Sequence, residues 1–354
     1  MIPSARDYYY ANLAPEENGQ NYQKTHQSYL YEGNKDPDAI HIYNHVPKCS
    51  NDLLIEHYVS ELRDLSGSEI ASRLDNLFVA KRRKFFANAG ALHSKIQFEG
   101  DLVFFYVGLS DVFMQYATLY QEFYALTQAR NKFGSKNKKT KALFHIVCEN
   151  ITKLSEAQVE WGINRNEIRF KDEFVLIPSP EHNGKATSIA TLMDKAVLRH
   201  EIAHHLLGHT KPDASLRHCI LPHIENLFDR NAYTDEHVRE IEADLAAIYL
   251  PASGAKEQNF DQLGFEVAFG TLLAQTVLAQ LKASIYHSAD SHPSWHVRHQ
   301  LSITALRTIY PDAGVDYALS EVSRFQALLY RIQNRGLGEL TIGKFDMEID
   351  SYAS

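Results

Sequence analysis

Apolar positions recur at helical spacing over much of the chain. Leu53, Leu54, Tyr58 and Leu62, then Ile70, Leu74, Leu77 and Phe78, fall three or four residues apart and predict two helices between residues 51 and 89. Leu102-Val103-Phe104-Phe105-Tyr106-Val107 is β-branched and aromatic, which reads as a strand, and Ser110-Asp111 caps a long helix running on to about Arg130. Residues 131–141 are polar and basic and predict an exposed loop. Short apolar runs at 143–148, 167–170 and 173–177 predict strands, the last stopped by Pro178. An exposed edge there would hold an extended peptide by main-chain hydrogen bonds.

Later in the chain, residues 263–286 are apolar nearly all round and predict a central buried helix, and 315–334 predict a last amphipathic helix stopped by Gly336. Residues 1–50, rich in Tyr, Asn, Gln and His, show little periodicity and predict irregular structure at the surface. Of two apolar stretches checked as membrane spans, 102–120 is broken by Asp111 and Gln115 and 267–281 is short of the ~20 residues a span needs. Both read as core.

A net charge of -8 and a pI near 6.1 argue against a general nucleic-acid binder. Cys49, Cys148 and Cys219 are too scattered for a disulfide framework or a zinc knuckle, and no basic segment followed by an apolar one opens the chain. The expectation is a cytoplasmic protein that engages neither nucleic acid nor membrane.

One helical stretch carries chemistry. Ile189, Leu192, Met193, Ala196, His200, Ala203 and Leu207 form a buried stripe, with Thr187 or Ser188 as N-cap and Gly208 as C-terminal stop. Within it His200-Glu201-Ile202-Ala203-His204 puts two imidazoles one turn apart on one face, able to grip one zinc ion. Glu201 follows the first of them, where its carboxylate can take a proton from water. A second helix, capped by Thr234 and closed by Pro251, offers Glu240 and Asp244 four residues apart. One carboxylate can complete the ligand set while the other accepts the outer N–H of a zinc histidine. Glu242 points elsewhere around that helix and reads as solvent-facing or salt-bridged. His209, His218, His223 and His237 are alternative third ligands, but Gly208 and His209 each miss the metzincin offsets by one position, which favours the glutamate. A third motif, His292-Pro293 followed by Arg298, reads as a helix start with Pro293 in the first turn, a histidine able to donate to a developing oxyanion, and an arginine able to brace the carboxylates.

These three motifs, in this order, resemble the gluzincin peptidases, including the HtpX and CaaX-prenyl types. The chain lacks the spanning helices of those membrane enzymes and is most similar to the soluble Lit-type phage-exclusion peptidases, over about residues 102–310. The resemblance implies zinc held by His200, His204 and Glu240, Glu201 as catalytic base, Asp244 orienting a ligand, His292 stabilising the transition state, and Arg298 at the matching position. It also implies a fold of α+β class, mainly α-helical, with a gluzincin-like core and a small β-sheet next to the His-Glu-x-x-His helix. The expected organisation is an N-terminal region (1–95) with a sensing or regulatory role, a zinc peptidase core (96–312) and a C-terminal helix and tail (313–354).

Function follows as an expectation: a zinc endopeptidase acting on a protein or peptide substrate, in antiphage defence, with a phage-derived trigger. Two alternatives stand beside it. One is a regulatory module with a structural zinc, which would need no free carboxylate at Glu201. The other is a housekeeping peptidase.

Overall fold

The segment that reads as a strand entering a helix does so: strand Asp101–Tyr106 runs straight into helix Val107–Phe133. The computed structural model describes residues 2–15, 49–82, 88–92, 97–163, 176, 180–211, 215–254, 260–281, 292–311 and 313–335. Among the described residues the protein is mainly helical with one small sheet, an α+β arrangement. It divides into two units, one of residues 1–83, 88–107 and 198–258, the other of 84–87, 108–197 and 259–354.

The first unit holds α1 (Ala5–Tyr8), α2 (Leu53–Leu65), α3 (Ser68–Leu74) and a three-stranded sheet of β1 (Leu77–Arg82), β2 (Ala89–Leu92) and β3 (Asp101–Tyr106). Strand order is β1-β3-β2: β1 lies parallel to β3 with Leu77 opposite Asp101, and β2 is antiparallel with Leu92 opposite Leu102. Asp52 caps α2 by accepting from the backbone N–H groups of Leu54 and Ile55 at 3.0 and 3.2 Å. Two expectations change here. Leu77 and Phe78 begin a strand, because the run through Lys81 is buried on both faces of the pleat and its period matches either element. The first residues are ordered against the sheet: Ala5 N–H donates to Glu99 at 2.8 Å, and Tyr9 is completely buried with its ring 5.8 Å from that of Phe78. Residues 16–48 lie outside the described residues.

The second unit contains most of α4 (Val107–Phe133), then α5 (Lys138–Ile163), the first part of α6 (Pro180–Leu206), and α9 (Phe260–Leu281), α10 (Trp295–Ile309) and α11 (Ala313–Arg335). The remaining helices, α7 (Arg217–Ile224) and α8 (Asp235–Tyr249), belong to the first unit. The run 143–148 is helical, within α5, with Phe144, Val147 and Cys148 buried and Ile146 exposed: a short apolar stretch does not tell strand from helix until its neighbours are read. The strands expected at 167–170 and 173–177 fall outside the described residues, apart from Leu176. The polar segment 131–141 contributes only a break at Gly134 between two long helices.

Helix α9 is the core of the second unit. By length and composition Asp261–Leu281 could cross a membrane, with mean hydropathy 1.2, yet 72% of that window is buried within the protein. Val267, Leu272, Leu273 and Val277 are fully enclosed, and Gly270 lets the helix approach α6 so closely that a Cβ there would sit 2.4 Å from the Leu192 carbonyl oxygen. Polar contacts in this unit include Gln275 donating to Ser302 at 2.8 Å and Ser110 donating to Asp194 at 3.0 Å.

Candidate metal centre

The last nine residues of α6 belong to the first unit, and they carry the His-Glu-x-x-His sequence. The helix starts earlier than its capping residues suggest. Thr187 and Ser188 lie inside it and return their hydroxyls to the carbonyls of Asn183 and Gly184, four residues back. At its other end Gly208 takes the left-handed conformation (φ 72°). His209 N–H then bonds the His204 carbonyl at 2.9 Å and Gly208 N–H that of His205 at 3.0 Å, the paired bonds of a Schellman motif. That turn folds His209 back over His204. A Cβ at residue 208 would lie 2.7 Å from the Ser215 Cβ, so glycine is required by space as well as by φ.

His205, the histidine after the pair, is buried and joins the helix to the sheet. Its Nε2–H donates to the Leu102 carbonyl of β3 at 3.1 Å, and its Nδ1 lies 2.8 Å from Thr210 Oγ1. A carbonyl can only accept, which places a proton on Nε2. The small sheet therefore stands directly beside the histidine helix.

Helix α8 packs against this stretch, its start fixed by Thr234, which accepts from the His237 N–H at 3.3 Å. His200 Nε2, His204 Nε2 and the Glu240 carboxylate converge: the two nitrogens are 3.1 Å apart, His200 Nε2 lies 3.5 Å from Glu240 Oε2, and His204 Nε2 lies 3.5 Å from Glu240 Oε1. Donor atoms around a tetrahedral zinc, at ~2.0–2.1 Å from the ion, are ~3.3 Å from one another. The nitrogen pair and the carboxylate oxygen nearest each nitrogen are spaced at about that distance. All three residues are half-buried, with Glu201 half-buried beside them on the same helix.

The outer nitrogens are also engaged. His200 Nδ1 is 2.9 Å from Asp244 Oδ1. His204 Nδ1 is 2.9 Å from His209 Nδ1, and His209 Nε2 is 3.2 Å from Glu242 Oε2. Glu242, only 1% exposed, is held further by Arg217 at 2.9 Å and by Arg230. Each ring can thus keep Nε2 free of a proton while its Nδ1 is set beside a carboxylate, directly for His200 and through His209 for His204. That is the tautomer a metal ligand needs.

Two readings change at this point. Glu242 is salt-bridged, one of the two readings offered for it, and buried, because the segment from Arg217 to Arg230 closes over it. His209 contacts a candidate ligand through its outer nitrogen and stands behind it. Its sequence signal is its place just after the helix-ending glycine.

The electrostatics follow from these contacts. In the metal-free chain burial works against protonating His200, but the Asp244 and Glu240 carboxylates outweigh it and raise its pKa to about 10. Burial and the neighbouring His200 charge hold His204 well below the usual histidine range. Burial also penalises the Glu242 charge, yet His209, Arg217 and Arg230 keep its carboxyl below the ordinary range.

His292 and Arg298 belong to the second unit. His292 is half-buried, and helix α10 begins two residues later than its Pro293 suggests, with Ser294 as N-cap accepting from Val297 N–H at 3.4 Å. Arg298 is buried, its guanidinium 4.4 Å from the centre of the Trp295 ring. His218 is engaged with Glu69, and His223 stacks on Tyr249 at 4.4 Å. Comparison with protein-family models, curated proteins and solved structures finds no match to this chain.

Proposed function

We propose that the protein is a zinc-dependent endopeptidase. The observation that carries this is the convergence of His200 Nε2 and His204 Nε2, 3.1 Å apart, on the Glu240 carboxylate, each 3.5 Å from one of its two oxygens, with Glu201 next to His200 in the chain. His200, His204 and Glu240 would hold the ion. Bound there, zinc would supply Lewis acidity, polarising a carbonyl and making water a nucleophile near neutral pH.

The chain's own groups do the rest. Glu201 takes the proton of the attacking water and later passes it to the departing amine nitrogen. Asp244 fixes the orientation of the His200 ring, and the His209–Glu242 pair fixes that of His204. Both rings then present Nε2 without having to rearrange. A purely structural site would have no use for the carboxylate of Glu201. The likeness to Lit-type enzymes adds an intracellular protein substrate in antiphage defence.

The test is metal content by elemental analysis of wild type and Glu240→Ala, with cleavage of casein or host lysate measured on the same samples. The reading expects zinc at this centre and proteolysis in wild type, both lost in the variant. Proteolysis that persists in Glu240→Ala would remove the glutamate from the ligand set, and wild type without any zinc would overturn the reading.

A further inference from the structure

Two groups of three or more potential metal donors occur among the described residues, and the second plays no part in the centre above. It consists of Glu69, His218 and Cys219. Glu69 lies in the first turn of α3, and His218 and Cys219 are consecutive in the first turn of α7, so the group joins two helices about 150 residues apart in sequence. Both helices belong to the first unit.

The distances make the case. Glu69 Oε2 is 3.1 Å from His218 Nε2 and 3.0 Å from Cys219 Sγ, and the sulfur is 3.2 Å from the same imidazole nitrogen. Hydrogen bonding accounts for two of the three edges, since the N–H and the S–H can each donate to the carboxylate. Both protons are then used, and the sulfur-to-nitrogen edge has none of its own. Three donors converging on one point suit a cation better than they suit one another. Moving each outward by a few tenths of an ångström gives the ~3.3–3.6 Å separations found around a zinc-sized ion with one sulfur ligand.

We propose that Glu69, His218 and Cys219 form a second metal site, for a thiophilic divalent cation such as zinc, distinct in chemistry from the first. A thiolate, an imidazole and a carboxylate select a borderline metal over calcium or magnesium. Binding transfers the thiol proton to solvent and forms a metal–sulfur bond, with no change of oxidation state. An ion here ties α3 to α7. The residue before His218 is Arg217, which holds Glu242, so the tie restrains the segment that orients His204.

The side chains of Glu69 and His218 are 62% and 68% exposed, so substituting them leaves the core intact. The experiment is titration of the metal-free full-length chain with Co²⁺, following the near-ultraviolet charge-transfer band that only a sulfur ligand gives. The first centre has no sulfur and is silent in that band. Wild type and Glu240→Ala are expected to reach the same band intensity at saturation, Glu240→Ala at one equivalent of metal. Cys219→Ser loses it, and Glu69→Gln and His218→Ala weaken the affinity read from it by about tenfold or more. No sulfur band in wild type overturns the proposal. So does a band that survives in Cys219→Ser, which assigns it to another cysteine, or one whose affinity ignores Glu69 and His218, which reduces the site to a lone thiol. Because Glu240→Ala isolates this site, it stands or falls independently of the peptidase reading.

Discussion

His209 brings its Nδ1 to 2.9 Å from the Nδ1 of His204, five residues before it, and hands the contact on to Glu242, 33 residues further along the chain. A carboxylate deep in helix α8 thereby sets the proton position on a ring of helix α6. Glu242→Gln keeps the shape and removes the charge. Metal affinity is expected to fall about tenfold to a hundredfold, measured by competition with a chelating dye. Glu242→Ala leaves two arginines facing a buried hole and lowers stability as well, by about 2 kcal/mol or more, with the partial exposure of both guanidinium groups limiting the loss.

Gly208→Ala strikes the same relay through the backbone. A side chain at φ 72° costs about 1–2 kcal/mol, and its Cβ meets that of Ser215 at 2.7 Å. Thermal unfolding should show a lower Tm, with metal affinity reduced in parallel because His209 is displaced. Adding Ser215→Gly, which removes the obstructing atom, should recover part of both. A Gly208→Ala protein with unchanged metal affinity would separate the turn from the site.

His200 makes metal binding depend on pH. Its pKa in the metal-free fold, about 10, stands above its ordinary 6.5, so its charge stabilises that fold fully below pH 6.5, and the contribution fades as pH rises to about 10. Metal binding has the opposite slope, because the ligand must first lose that proton. Between pH 6.5 and 10 the affinity should rise about tenfold per pH unit while the stability of the metal-free chain declines. Calorimetry in buffers of different ionisation enthalpy should find about one proton released per ion bound, and none would reject the protonated His200.

Glu201→Gln separates binding from turnover. The amide cannot accept a proton from water, so kcat should fall about a hundredfold to ten-thousandfold with zinc content and Tm unchanged. Activity close to wild type would return Glu201 to the role of a helix-surface carboxylate.

Residues that share one helix were the easiest to place from sequence. His200 with His204, and Glu240 with Asp244, stand on common faces because four residues make about one turn, and the fold brings those two faces together. His209 and Glu242 were harder, since their meeting depends on a reversal of the chain after Gly208 and on a cover running from Arg217 to Arg230. Helical periodicity describes neither. The same limit explains the strand at Leu77–Arg82, read as a helix, and the helix across 143–148, read as a strand. An apolar run of six residues satisfies both periods, and only tertiary packing chooses.

The burial of Glu242 also bears on inheritance. Among descendants of this chain, loss of the glutamate would leave two arginines without their carboxylate, and loss of an arginine would take away one of the partners that hold the buried glutamate. Substitution at positions 209, 217, 230 and 242 should therefore be correlated, with all four kept or all four exchanged. A pattern of His-Glu-x-x-His-x-x-x-Gly-His joined to Glu-x-Glu-x-Asp would recognise kin of this protein where the five-residue metal motif alone is too common to be diagnostic.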